Sequence, residues 1–211
     1  MSPGHDTDRL NSIVFIVDDD ALSRDALSSV LRAVGWQVRA FASAAEYMTG
    51  PRPAQPACLL LATGPAGENL ELQRTLKERG DGTPIIFMGE QIDVRIAVRA
   101  MKAGAFECLS RPFGDGELFE AVRLALQRDE LESRQRGQIL EWRRRIASLS
   151  PREQQVMRRV VRGVLNKQIA EELDIAEITV KVHRRHVMDK MGAESLAELV
   201  RMVDRAEPGP G

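Results

Sequence analysis

Between Asn166 and Met191 the chain reads NKQIAEELDIAEITVKVHRRHVMDKM, and few folds accommodate that order of residues. Ile169, Ala170 and Leu173 recur at helical spacing, with Glu171 and Glu172 turned outward. Asp174 and Ile175 supply a tight turn. In the second segment Ile178, Val182, Val187 and Met191 are expected to face inward, leaving Lys181, Arg184 and Arg185 outside. A short helix, a turn and a second helix with a basic outer face suit the major groove of double-stranded DNA. The rest of the chain then decides when that segment acts.

At 211 residues the chain is long enough for one medium and one small domain, each with its own core. Hydrophobic residues make up 43% and charged residues 29%, as in ordinary globular proteins. No apolar run approaches the roughly 20 residues a membrane span needs. The polar start, MSPGHDTDRLNS, does not read as a secretory signal. Cys58 and Cys108 both lie in apolar runs and are expected to be buried free thiols, consistent with a reducing cytoplasm. The net charge of −1 conceals an asymmetry: residues 1–127 hold 13 Lys+Arg against 17 Asp+Glu, and residues 128–211 hold 17 against 14. An acidic front and a basic rear suit a DNA-facing rear domain.

In the front part, the apolar runs IVFIV (13–17), CLLL (58–61), Pro84 to Met88 and Phe106 to Leu109, with the alternating Trp36 to Phe41, read as five strands. Helices are expected between them: Ser23 to Val34, one opening at the Ser43–Glu46 capping box, about Glu68 to Arg79, about Asp93 to Ala103, and one beginning near Asp115. Strands and helices in alternation give a doubly wound α/β fold with a parallel five-stranded sheet, whose function belongs at the carboxyl ends of the strands.

Residues 13–127 resemble a response-regulator receiver domain of the FixJ type. The resemblance rests on IVFIVDDD, FASAAEYM, CLLL, PIIF, DVRIAVRAMKAGA and the Arg-Pro-Phe at 111–113. It implies transfer of a phosphoryl group to an aspartate at the end of the third strand, with a metal ion held by an acidic pair. The aspartate's position falls on Ala62, which has no nucleophile. The family's Lys falls on Arg111, its Thr on Gly89 and its aromatic switch residue on Cys108. Only the acidic pair, Asp18 and Asp19, is kept, and two carboxylates make a weak Mg²⁺ site. A plainer reading of the cluster is a strand-end turn with Asp20 capping the next helix. The expectation is a pseudo-receiver that binds no metal or other cofactor.

From Asp115 the helical pattern is expected to continue as a linker to about Arg145, through Gly137, with Ile139, Leu140, Trp142 and Ile146 needing cover. The Arg143–Arg145 run reads either as a phosphate contact or as a solvated face. Ser150-Pro151-Arg152-Glu153 is a capping box with proline in the first turn. Asn166 is expected to cap the next helix, and Ser195–Glu198 opens a last one.

LSPREQQVMRRVV, NKQIAEEL and TVKVHRRHVMDKMGAES resemble the LuxR-type helix-turn-helix of NarL and FixJ regulators, over Leu149 to about Val203. By that resemblance the recognition helix spans about Glu177 to Met191. Its base contacts fall on Lys181, Val182 and Arg185, with Thr179 and Arg184 nearby, and Asn166 and Lys167 fall where the family touches phosphates. Independently, Lys181 and Arg185 are one turn apart, and an Arg can pair bidentately with guanine. Ala176 stands where the family usually has a Ser or Thr cap, so Asp174 is the substitute cap to look for. His183 and His186 have no carboxylate or thiol at zinc-site spacing.

The expected organisation is therefore a disordered tail (1–12), a receiver-like domain (13–127), a helical linker (128–148), a four-helix LuxR-type domain (149–205) and a disordered tail (206–211). The expected function is sequence-specific regulation of transcription by a dimer, without phosphorylation at the usual site. The alternative is an interaction protein that modulates a partner regulator or a sensor kinase. No nucleophile–base pair suggests an enzyme.

Overall fold

The computed structural model describes residues 11–64, 69–90 and 92–207. The chain divides into two compact units, Met1–Ser133 and Arg134–Gly211. Expectations for residues 1–10, for the helix start at Glu68 and for residues 208–211 fall outside the described residues. Ser12, assigned to the tail by sequence, is buried.

In the first unit the strands are β1 (Ile13–Val17), β2 (Gln37–Phe41), β3 (Ala57–Ala62), β4 (Ile85–Glu90) and β5 (Glu107–Arg111). They form one sheet in the order β2-β1-β3-β4-β5, with every pairing parallel. β1 and most of β3 are buried along their whole length, the reason they read as unbroken apolar runs. Side chains alternate between two cores. Val14, Ile16, Leu60, Ile86 and Met88 meet Leu27 and Leu31 of α1 (Ala21–Ala33) and Leu118, Val122 and Ala125 of α5 (Asp115–Ser148). Ile13, Phe15, Val17, Leu59, Leu61 and Phe87 meet Tyr47 of α2 (Ala44–Tyr47), Leu72 and Leu76 of α3 (Leu70–Glu78), and Ala100 of α4 (Val94–Ala103).

Local capping follows the sequence in most places. The Asp20 carboxylate accepts the Leu22 N–H at the start of α1, and Asp93 accepts the Arg95 N–H at the start of α4. α2 is a single turn, because Met48 ends it and a Pro-rich loop follows. β4 and β5 run two residues past their expected ends, which carries Gly89 and Arg111 to the carboxyl edge of the sheet. Cys58 is buried, whereas Cys108 is only half-buried.

α5 is an unbroken 34-residue helix that passes through Gly137. Its part in the first unit extends beyond residue 127. The Asp129 carboxylate is fully buried, accepts the Ala57 N–H at 2.9 Å and is ion-paired to Arg52. Arg52 also reaches Asp81 at 3.1 Å.

The second unit holds α6 (Pro151–Val160), α7 (Asn166–Leu173), α8 (Glu177–Met191) and α9 (Leu196–Ala206). Val156, Met157, Ile169, Val180, Val187, Leu199 and Met202 make its core. Ile146 of α5 is buried in that core and Trp142 packs against it, while Leu140 stays exposed. The capping box at Ser150 is formed in both directions. No helix among the described residues is long and apolar enough to cross a membrane.

Candidate nucleic-acid interface and the strand-end pocket

The turn between α7 and α8 is closed by Asp174, which adopts a left-handed conformation (φ 51°) and donates its N–H to the Ala170 and Glu171 carbonyls. Asp174 therefore ends α7 and does not cap α8. Ala176 occupies the capping position of α8 with no side-chain bond. Asn166 is not a cap either. Leu165 precedes α7, its N–H donates to Gln168 Oε1, and Asn166 is the first helical residue. The Asn166 side chain instead accepts from Arg184 Nη1 at 2.7 Å, tying the start of α7 to the middle of α8.

The inward face of α8 differs from the expected one. Val180, Val187 and Met191 are buried, while Ile178 is 67% and Val182 46% exposed. Ile178 and Val180 lie about 200° apart around the helix, so only one of the two apolar stripes can face the core. The outward stripe is Ile178, Lys181, Val182 and Arg185. Lys181 lies 3.3 Å from Glu177, and Arg185 lies 3.8 Å from Asp189. Both pairs are solvent-exposed and cost little to exchange for a phosphate or a base edge. Lys167 is exposed and Thr179 half-buried.

Several arginines of this unit serve the fold. Arg143 Nε donates to the Ala206 carbonyl at 2.9 Å, and Arg145 Nη1 to the Met191 carbonyl at 2.7 Å. Arg152 Nη2 donates to the Leu173 carbonyl at 3.0 Å. Each guanidinium satisfies a carbonyl at the C-terminal end of a helix, where the dipole favours a cation. Two of the three arginines at 143–145 thus also hold helix ends, Arg143 while remaining exposed. Gly192, left-handed at the end of α8, faces the Arg145 guanidinium so closely that a Cβ there would lie 2.5 Å from Nη1.

Glu153 joins α6 to the recognition helix. Its carboxylate is almost fully buried, accepts the Ser150 N–H at 2.8 Å and Lys190 Nζ at 2.7 Å, and lies 3.6 Å from His186. The Lys190 hydrogen bond, followed by the Ser150 N–H, holds its pKa down at about 2. The sequence identifies Glu153 as half of a capping box; its pairing with Lys190, 37 residues away, has no local signal.

At the carboxyl edge of the sheet in the first unit, Ala62 ends β3 with Asp18 beyond the end of β1. Asp18 is buried, and both of its carboxylate oxygens are engaged. Oδ1 accepts the Asp20 N–H at 3.0 Å, and Oδ2 accepts the Ser23 hydroxyl at 2.7 Å and Arg111 Nη2 at 3.0 Å. Asp19 is exposed. Thr63, which no motif singled out, fills the space at Gly89: a Cβ on Gly89 would lie 2.5 Å from Thr63 Oγ1. Cys108 pairs with Phe87, two pairs before Gly89 along the β4–β5 ladder. Among the described residues no cluster of three or more His, Cys, Asp or Glu side chains is placed to hold a metal ion.

Comparison with known proteins covers both units. Residues 14–123 match the response regulator receiver domain, and residues 147–203 match the bacterial regulatory proteins of the luxR family. Response regulator protein TodT of Pseudomonas putida is 42% identical over 202 residues, covering 95% of this chain and 88% of that protein. Transcriptional regulatory protein FixJ of Bradyrhizobium diazoefficiens is 37% identical, covering 92% and 95% of the two chains. The solved structure of the response regulator StyR is 41% identical, covers 92% of this chain and 99% of its own, and superposes with a TM-score of 0.79. Receiver sheet, helix-turn-helix and whole-chain identity agree, and the chain belongs to the FixJ-type response regulators, DNA-binding transcription regulators of two-component systems.

Proposed function

We propose that this regulator binds its DNA sites without being phosphorylated at the usual receiver position, and that it does so as a dimer. The observation that carries the reading is the Arg111–Asp18 ion pair at a strand edge where the family's nucleophile position is Ala62. A methyl group cannot attack a phosphoryl donor. A guanidinium already bonded to Asp18 supplies a fixed positive charge where the family would otherwise assemble a metal ion and a phosphoryl group. The oxygen donors do not fit a divalent cation: Asp18 is committed to Ser23, Asp20 and Arg111, and the third carboxylate position is Ala62. The equilibrium between receiver states then rests on the chain's own contacts and on whatever partner binds one state better. A sensor kinase, the partner family membership implies, would act here by contact.

In this reading Lys181, Val182 and Arg185 meet base edges, while Arg184, Asn166, Lys167 and Thr179 serve the phosphate side. The Arg184–Asn166 bond supports that division by holding one guanidinium away from the outward stripe. A dimer follows because one short helix reads only a few base pairs. No membrane partner is needed, and the cytoplasm is the compartment that fits.

Binding of the untreated full-length protein to fragmented genomic DNA at a stated salt concentration tests this. Selective binding is expected, unchanged by acetyl phosphate, and Arg111→Ala is expected to weaken it at least tenfold. Enhancement by acetyl phosphate, or an Arg111→Ala variant that binds like the parent, refutes the reading.

A further inference from the structure

We propose that Ile178 is a specificity-determining residue of this regulator, reading the 5-methyl group of a thymine in the major groove. The inference rests on the DNA-binding reading above and adds a residue to it.

Ile178 is the second residue of α8, and its side chain is 67% exposed. It has no place in the core of the second unit, whose α8 contributions are Val180, Val187 and Met191, with Met188 packed against them. A large aliphatic side chain held in water at a defined helix position is informative in a way that a buried one is not. Its position is equally telling. Val182 lies one turn on, and Arg185 two turns on, so Ile178, Val182 and Arg185 share one stripe at i, i+4 and i+7. Lys181, on the same outward face, is paired to Glu177, beside Ile178.

The N-terminal residues of a recognition helix contact base edges in the groove. Of the four base pairs, only those containing thymine present a methyl group there, and its natural partner is an apolar side chain. The stripe therefore carries apolar readers at its N-terminal end and a cationic one at its far end. That pattern would match thymine followed by guanine along one half-site. Ile178 donates no hydrogen bond and bears no charge, so a phosphate contact gives it nothing.

The test uses the full-length protein and a duplex selected by it from random sequences. Each thymidine of one half-site is replaced in turn by deoxyuridine, which removes only the methyl. At one position the replacement is expected to weaken binding about fourfold, the equivalent of about 0.8 kcal/mol for one buried carbon. In Ile178→Ala that position becomes indifferent to the methyl, in Ile178→Val the factor shrinks, and in Val182→Ala it persists. Far-UV circular dichroism checks that the variants fold. If no position responds to deoxyuridine, or if Ile178→Ala keeps the full factor everywhere, the inference is overturned while DNA binding stands. If the full-length protein selects no sequence at all, the functional reading falls and this inference with it.

Discussion

Replacing Glu153 by glutamine separates charge from shape at the joint between α6 and the recognition helix. The amide is nearly isosteric and its oxygen can still accept the Ser150 N–H, so the capping box survives in part. What is lost is the charged acceptor for Lys190 at 2.7 Å. A fall of the carboxyl from 4.5 to about 2 is worth ~3 kcal/mol for a pair shielded from water. The Lys190 side chain is 43% exposed, and solvent screening brings the expected loss to about 1–2 kcal/mol. For a unit this small that is a drop in Tm of roughly 4–16 °C, at about 4–8 °C per kcal/mol.

The pH dependence follows from the same shift. The folded carboxyl binds its proton less readily than the unfolded one, so its contribution is complete above about pH 5. That contribution is lost as the pH falls toward 2, and Glu153→Gln should flatten this part of the stability curve. Thermal unfolding of parent, Glu153→Gln, Lys190→Met and the double variant between pH 7 and pH 3 gives the coupling directly. A coupling below ~0.3 kcal/mol, or identical acid dependence in parent and Glu153→Gln, refutes the argument.

Two further outcomes concern the first unit. Arg52→Ala removes the Arg52 guanidinium from the buried Asp129 carboxylate and should destabilise this unit by about 2–4 kcal/mol in urea, followed by Trp36 in a Trp142→Phe background. Arg52→Lys should not restore it, since one ammonium cannot span Asp81 and Asp129 as the planar fork does; a loss under ~0.5 kcal/mol would count against the bridge. Native protein should react with a disulfide reagent at Cys108 only, and slowly, because burial raises both thiol pKa values and Cys58 has no exposed surface. Rapid modification of two thiols would contradict the packing.

Much of this protein is written locally. The unbroken apolar runs of β1 and β3 announce a sheet covered on both faces, and the caps at Asp20, Asp93, Ser150 and Ser195 fix helix starts through bonds only two or three residues long. Local too is the order helix, turn, helix with basic residues outward. These features are readable because their partners lie within one turn or one alternation of each other.

Tertiary structure decided the rest, wherever a residue had two local options or a distant partner. Both Ile178 and Val180 satisfy a helical apolar stripe, and only packing against α6 and α7 put Val180 inside and Ile178 in water. Asn166 had the chemistry of a cap, but Arg184 claimed its side chain from 18 residues away. The Arg143–Arg145 run looked like free charge until Ala206 and Met191 presented carbonyls to two of its members. Asp129 falls in the stretch expected to be linker, yet Arg52 and the Ala57 N–H draw it into the first unit. Arg111 and Asp18 are 93 residues apart in the chain and 3.0 Å apart in the fold. A sequence determines which groups are available to bond; which of them do so across such separations is settled only when the whole chain competes to bury its apolar surface and satisfy its buried polar atoms at once.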